Sequence, residues 1–151
     1  LAANPGTPPL PLTKVASGGE LARTMLALRL VLIEAPGTLV FDEVDAGIGG
    51  ATALEVGSAL SEVAETSQVL VVTHLAQVAA HADQQARIAK SADEDATTTT
   101  VESVGGEARV VELSRMLSGT PDSAAARSNA KDLLERVPRR APDPSTAGPT
   151  R

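Results

Sequence analysis

Cysteine and aromatic residues are nearly absent from this sequence of 151 residues. It contains no Cys, Trp or Tyr, and Phe41 is its only Phe. Without Cys, disulfides, thiolate catalysis and Cys-ligated zinc sites are excluded. An aromatic platform for single-stranded nucleic acid is not expected either, because such platforms need ring faces on which bases stack. The core must therefore be built from Leu, Val, Ile and Ala.

Positive charge is also scarce, since 13 Lys and Arg stand against 19 Asp and Glu, for a net charge of −6. An acidic chain is a poor whole-surface match for phosphate backbones. Long apolar runs are missing as well, because Arg29 interrupts the best candidate for a membrane-spanning segment. With 42% hydrophobic and 21% charged residues, the chain can nevertheless bury a core.

Proline marks the two ends of the chain. Of 10 prolines, four lie within residues 1–12 and four within 138–151. We expect an extended Pro-rich lead-in over 1–12, a folded lobe over 13–137 and a disordered tail over 138–151. Because the sequence opens with Leu1 rather than Met, we also expect it to be a piece of a longer chain.

Helical and strand patterns alternate along the lobe. Apolar residues at helical spacing predict a buried face on a helix over 18–34, and these residues are Leu21, Met25, Leu28 and Leu32. Continuous apolar runs at 38–41 and 69–73 are typical of buried central strands in a parallel sheet. The other predicted elements are helices over 51–66, 75–82, 107–117 and 121–137, and strands over 85–90 and 97–104.

Details of the predicted helices follow from their apolar and turn residues. In the helix over 51–66, the residues predicted to face inward are Leu54, Val56, Leu60 and Val63. Gly119 is predicted to stop one helix, and Thr120 to cap the next with Pro121 at its first position. His81 matches no motif and is assigned to a helix surface. The alternation of strands and helices predicts an α/β fold with a parallel sheet.

Polar side chains follow both predicted parallel strands where the strands end. Asp42, Glu43 and Asp45 follow the first strand, and Thr73 and His74 close the second. In open α/β sheets, ligands bind beyond the carboxyl ends of the strands. Four apolar residues followed by Asp-Glu form the pattern of a Walker B strand, in which one carboxylate holds hydrated Mg²⁺ and the next orients water.

A third feature opens the first predicted helix, with the order Ser17, Gly18, Gly19, Glu20. Ser17 can cap the helix, and the glycines let backbone N–H groups approach a ligand without an intervening Cβ. Free N–H groups at a helix N-terminus favour phosphate. Taken singly, each feature has an ordinary structural explanation: a solvated acidic turn, a structural histidine and a capped loop.

Together, in this order and spacing, the motifs resemble the C-terminal half of an ABC-type ATPase head. Three longer strings are similar to the RecN family of DNA double-strand-break repair ATPases, in the structural-maintenance-of-chromosomes (SMC) group. The strings occupy residues 14–21, 41–50 and 72–80. The resemblance covers residues 4–137. It implies an α/β P-loop NTPase head of the ABC type, represented by its C-terminal half and incomplete without the N-terminal half.

The resemblance also implies a role for each motif residue. Asp42 would hold Mg²⁺, and Glu43 would be the catalytic base or the water-orienting carboxylate. His74 would be the switch histidine near the γ-phosphate of ATP, and Asp45 would lie in the D-loop at the dimer interface. The signature motif would contact the ATP bound by the opposite subunit, and it consists of Ser17, Gly18, Gly19 and Glu20.

A Walker A string, Gly-x-x-x-x-Gly-Lys-Ser/Thr, does not occur in the sequence. The resemblance explains this, because the family's head is split and Walker A lies in the N-terminal half. It implies ATP and Mg²⁺ as cofactors. The implied partners are that N-terminal half, a second head in a homodimer, and DNA bound by the full-length protein in the cytoplasm at the nucleoid, with no membrane.

We expect the chain alone to be inactive as an ATPase and to expose sheet edges and apolar faces. Two alternatives stay open. One is a different ATPase head of the SMC group. The other is a non-catalytic docking module that presents the signature surface to a nucleotide held by a partner.

Overall fold

The computed structural model describes residues 17–31, 37–93, 96–120 and 123–138. The predicted lead-in over 1–12 and residues 139–151 of the predicted tail lie outside the described residues, and so do the predicted positions Leu32 and Pro121. The chain divides into two compact units, one up to Ala79 and one from Ala80 onward. No helix in the described ranges is both long enough and apolar enough to cross a membrane.

The first unit contains a parallel pair of strands with helices around it. Its elements, in chain order, are α1 (Gly18–Val31), β1 (Thr38–Phe41), α2 (Gly50–Val63), β2 (Gln68–Val71) and α3 (Ala76–Ala79). The two strands pair in parallel, with Phe41 opposite Val71. The predicted α/β class with a parallel strand pair and flanking helices is therefore confirmed.

The second unit contains a hairpin followed by two helices. Its elements are β3 (Gln85–Asp93), β4 (Ala96–Val104), α4 (Gly106–Ser118) and α5 (Ala124–Arg136). The two strands pair antiparallel, with Gln85 opposite Val104. As predicted, α4 ends at Gly119, which adopts the left-handed conformation that glycine tolerates, with a φ of 70°.

Two local predictions in this unit are wrong. The cap of α5 is Ser123, whose hydroxyl accepts a hydrogen bond from the Ala126 N–H at 3.4 Å. Thr120 instead lies at the end of α4, where its hydroxyl is 3.0 Å from that of Ser118. His81 lies in a turn and is half-buried, because α3 ends at Ala79 rather than continuing to residue 82.

The core of the first unit lies between α2 and one side of the strand pair. Phe41 and Val44 pack there against the buried stripe of α2, which consists of Ala53, Val56, Leu60 and Val63. Leu54, predicted to face inward, is 37% exposed. Residues spaced three and four apart keep one helix face, and the buried stripe runs through Ala53, so the adjacent Leu54 is turned out of it.

The strands are covered on one face only, which agrees with the expectation that the chain alone exposes apolar faces and differs from the two buried faces of a central strand. Leu39 and Phe41 face the core, but Val40 is 68% exposed and its partner Leu70 is 51% exposed. Side chains alternate between the faces of a strand, so covering one face buries only every second residue. Among the described residues, only one face of the apolar strand pair therefore packs in the core.

The predicted buried face of α1 is also wrong. Leu21, Met25 and Leu28 are each nearly half exposed, whereas Leu26 is 3% exposed and packs in the core with Ala22 beside it. The helix carries two apolar stripes. The stripe with Ala22 and Leu26 packs in the core, and the stripe with the larger exposed side chains does not. We call Leu21, Met25, Val40 and Leu70 the open face. A groove of about 300 Å³ lies beside it and is lined by α1 and β1.

Candidate active site

The start of α1 is closed by a reciprocal pair of hydrogen bonds. The Glu20 N–H donates to the Ser17 hydroxyl at 3.3 Å, and the Ser17 N–H donates to the Glu20 carboxylate at 2.8 Å. This is a capping box, so the predicted capping role of Ser17 is confirmed. The Ser17 N–H and hydroxyl, together with the charge of Arg23, hold the pKa of Glu20 below its usual value. Glu20 therefore stays ionised and turned toward its own helix end.

The two glycines of α1 stand against the loop that follows β1. A Cβ on Gly18 would lie 2.7 Å from Oε2 of Glu43, and a Cβ on Gly19 would lie 2.9 Å from both the Cβ and the carbonyl oxygen of Ala46. At Gly19 the added Cβ would meet the backbone of the loop, whereas at Gly18 it would meet only the end of the Glu43 side chain. Glycine at position 19 therefore allows the helix start to lie close to the loop.

The acidic pair lies where β1 ends, as predicted. Asp42 and Glu43 are both exposed, and Asp42 lines the same groove as Gly18. Glu43 has a φ of 57°, and it is the one non-glycine residue with a positive φ in the described ranges. Such conformations persist where surrounding structure holds them, and they are concentrated at functional sites.

Asp45 lies in the same loop but is buried, with 2% of its surface exposed. Its Oδ2 accepts hydrogen bonds from the Thr73 hydroxyl at 2.5 Å and from the His74 N–H at 3.0 Å. The Nδ1 of His74 lies 3.1 Å from the same oxygen. Burial acts to raise the pKa of Asp45, but the hydrogen bonds from Thr73 and His74 outweigh it and hold the pKa below its usual value.

Arg23 is a further member of the site that the sequence reasoning missed. Its Nη1 donates to the carbonyl oxygens of Val44 at 3.1 Å and Ala46 at 2.9 Å, the residues on either side of Asp45. Arg23 lies one turn after Gly19, on the side of α1 that meets the loop. Nothing in the sequence alone indicates a bond to backbone carbonyls more than twenty residues away.

The structure thus brings the predicted site residues together in two contacts within the first unit. Glu43 lies against Gly18 at the start of α1, and Asp45 contacts His74, which follows β2 by three residues. Glu20 belongs to the capping box instead. The described residues include no cluster of three or more His, Cys, Asp or Glu that could hold a metal ion.

Comparison with known proteins gives a consistent set of relatives, although no family model matches the chain. The chain is 51% identical over 137 residues to the DNA repair protein RecN of Streptomyces coelicolor, covering 89% of this chain and 24% of that protein. It is 51% identical over 132 residues to the DNA repair protein RecN of Deinococcus radiodurans, covering 87% and 23%. The chain spans about a quarter of the length of these curated relatives.

Among solved structures, one described as "Structural biochemistry of ATP-driven dimerization and DNA stimulated activation of SMC ATPases" is 19% identical, with a TM-score of 0.48. The match covers 75% of this chain and 68% of the chain in that structure. Structural likeness at this level does not establish function. The sequence relatives are more informative, and they confirm the predicted resemblance: over nearly nine-tenths of its length, this chain is similar to a segment of DNA repair proteins of the RecN family.

Proposed function

We propose that this chain is the C-terminal part of an SMC-like ATPase head that binds and hydrolyses ATP between two heads in the repair of DNA double-strand breaks. One observation carries the proposal. In the loop after β1, Glu43 lies against the start of α1 and Asp45 contacts His74 after β2. This loop therefore brings together the signature motif, the acidic residues and the histidine. The similarity to RecN proteins supports it.

The residues present fit Mg²⁺ and ATP. Asp42 is an exposed carboxylate at a strand end, and the start of α1 lacks Cβ atoms at Gly18 and Gly19. Mg²⁺ is usually held by one or two carboxylates together with phosphate and water, so a single carboxylate is adequate. When bound, Mg²⁺ neutralises charge on the transferring phosphoryl group. Asp42 would hold it in place.

The other residues act on water and phosphate. Glu43 would orient the attacking water or accept its proton, and His74 would donate a hydrogen bond to a phosphate oxygen. The N–H groups at the start of α1 would bind the phosphates of ATP held by the other head. Ser17 and Glu20 would keep that helix end in place through the capping box.

The proposed partners follow from what the chain leaves uncovered. The open face presents four apolar side chains, and about three-quarters of the relative's length lies outside the matched segment, which covers 24% of it. We assign the open face to the N-terminal half of the same protein, which would also bring Walker A. The complete protein would dimerise through its heads, act on DNA, and work in the cytoplasm at the nucleoid.

A non-catalytic docking module is the second candidate, and an ATPase head other than a RecN-type head is the third. A surface that only docks onto a partner's nucleotide would need neither Glu43 nor His74. The presence of both side chains at the ends of adjacent strands favours the enzyme. Identities near 50% to RecN proteins favour RecN over other SMC-type heads.

Glu43→Gln in the complete parent protein tests the enzyme directly. The exchange keeps the size of the side chain and removes its basicity. We expect ATP turnover to fall by about 10²- to 10⁴-fold, with ATP-dependent dimerisation retained. Glu62→Gln, which alters an exposed carboxylate on α2, is the matched control and should leave turnover unchanged. Unchanged turnover in Glu43→Gln would contradict the assignment.

Turnover by separated halves tests the split head. We expect no ATP hydrolysis by the chain alone and hydrolysis when it is mixed with the parent's Walker A half. Activity of the chain alone would reveal a phosphate site within these 151 residues and would overturn the proposal of a half head.

A further inference from the structure

His74 and Asp45 form an unusual pair, because an exposed ring rests on a buried carboxylate. The side chain of His74 is 72% exposed, whereas that of Asp45 is 3% exposed. Ion pairs between two exposed groups contribute little and hold no fixed geometry. Here one partner is immobile, so the carboxylate can determine the orientation of the ring.

The carboxylate of Asp45 is fixed from several directions. The Thr73 hydroxyl donates to Oδ2 and itself accepts a hydrogen bond from the Leu75 N–H at 3.0 Å. Arg23 holds the carbonyl oxygens on both sides of Asp45. The backbone and the side chain of Asp45 are therefore both restrained, and the carboxylate cannot turn outward without breaking these bonds.

The position of the His74 ring beside the Asp45 carboxylate favours one of the two neutral tautomers of the ring. Nδ1 lies 3.1 Å from Oδ2 of Asp45, and a carboxylate is an acceptor only. A lone pair on Nδ1 would face the carboxylate and be repelled, whereas a proton there would be attracted. The contact therefore favours the Nδ1–H tautomer of the neutral ring and leaves Nε2 directed away from Asp45. A carboxylate beside one ring nitrogen can select the tautomer of a histidine in this way.

We propose that Asp45 is the positioning residue for His74 within its own chain. Asp45 holds the ring so that Nδ1 faces its carboxylate, in the Nδ1–H tautomer when the ring is neutral, and so that Nε2 faces outward. In the nucleotide-bound protein Nε2 would face a phosphate oxygen, and a hydrogen bond donated to that oxygen would need a proton on Nε2 as well. The phosphate contact rests on the proposed ATPase function, whereas the tautomer does not.

A purely structural role would give a different result. If Asp45 served only to tie the loop to β2, its bonds to Thr73 and to the His74 N–H would suffice, and the ring would show no preference. The tautomer of His74 therefore separates positioning from loop closure.

The first test is a long-range ¹H–¹⁵N spectrum of the ¹⁵N-histidine-labelled chain at about pH 9, where imidazole rings are neutral. The sequence has 2 histidines, so His81 is an internal reference. We expect His74 predominantly as the Nδ1–H tautomer in the wild type, with that preference lost in Asp45→Ala and His81 unchanged. Asp45→Asn, whose amide oxygen can accept the same hydrogen bonds, should retain it.

The wild-type spectrum decides the tautomer even if Asp45→Ala fails to fold. A wild-type His74 ring carrying its proton on Nε2, or showing no preference, overturns the inference and leaves the proposed ATPase function untouched.

The second test is a double-mutant cycle in the complete parent protein. We expect Asp45→Ala to lower kcat by roughly 10- to 100-fold with a smaller change in KM, because the His74 ring is then no longer held in one orientation. Combined with His74→Gln, it should cause no further loss. Additive losses would overturn the positioning role. An unchanged kcat in His74→Gln alone would instead overturn the proposed function of His74.

Discussion

Strand β1 leads into the acidic loop and also contributes Val40 to the open face. The two regions differ in how many contacts they make with the rest of the first unit. Arg23 and Gly19 pack against the loop from α1, and Asp45 ties it to Thr73 and His74. On the open face, Val40 and the other apolar side chains are about half exposed or more.

The difference shows that this chain alone fixes the acidic loop but leaves the apolar side chains of the open face uncovered. The positions of the acidic loop and the histidine are fixed by contacts within the first unit. The open face exposes apolar surface whose burial would contribute about 25 cal/mol for each Å² removed from water. Residues of the loop should therefore matter in the chain alone, and residues of the open face should matter only once a partner covers them.

The largest expected effect compares neighbouring residues on opposite faces of β1. Phe41→Ala removes a side chain that is 6% exposed in the core and should lower the free energy of unfolding by about 3–5 kcal/mol. Val40→Ala, at 68% exposure, should change it by less than about 0.5 kcal/mol. Chemical denaturation of the two variants measures both values, and equal losses would remove the distinction between the faces.

The effect of Val40→Ala on stability can also be measured in the complete parent protein, where a partner would cover the open face. If the N-terminal half covers the open face, Val40→Ala should there lower the free energy of unfolding by about 1–2 kcal/mol, because a buried Val side chain is lost. Val101→Ala, at a similarly exposed valine on β4, is the matched control. A small loss at Val40 in both settings would mean that another part of the protein receives the N-terminal half.

The second prediction compares the two glycines of α1. Gly19→Ala should destabilise the chain by about 1–3 kcal/mol, because the new Cβ would meet the backbone carbonyl of Ala46, which Arg23 also holds. Gly18→Ala meets only the end of the Glu43 side chain, which can move. We therefore expect Gly18→Ala to retain stability and to reduce ATP turnover in the parent. The reverse order of stabilities would contradict the close packing of α1 on the loop.

Local sequence signals predicted most of the first unit's elements but not which faces they bury. The run of residues 38–41, with three apolar side chains after Thr38, predicts a strand whether one of its faces is covered or both. Helix α1 has two apolar stripes, and spacing alone selected Leu21 and Met25 over the stripe that packs, with Ala22 and Leu26. The choice depends on Gly19 allowing close approach to Ala46, which is a tertiary contact without a local signature.

The candidate site shows a similar division. The ends of parallel strands predicted that Asp42, Glu43 and His74 would lie at one edge, because that placement follows from topology. The burial of Asp45 beneath His74 and the clamp by Arg23 depend on distances between residues more than twenty positions apart. Sequence patterns that place residues on elements do not contain those distances.

The smallest expected effect concerns the pH dependence of the loop's contribution to stability. The pKa of Asp45 is held below its usual value in the folded chain, so the folded state favours the carboxylate more than the unfolded state does. That contribution is fully present above the unfolded pKa of about 3.9 and is lost as the pH falls through the lower folded pKa. The stability difference between wild type and Asp45→Asn should stay constant above about pH 5 and shrink below about pH 4. Denaturation of both proteins across this range measures the difference, and Asp83→Asn, at an exposed carboxylate, is the control. A difference that grows on acidification would mean that burial outweighs the hydrogen bonds from Thr73 and His74, and the loop would then be held mainly by Arg23.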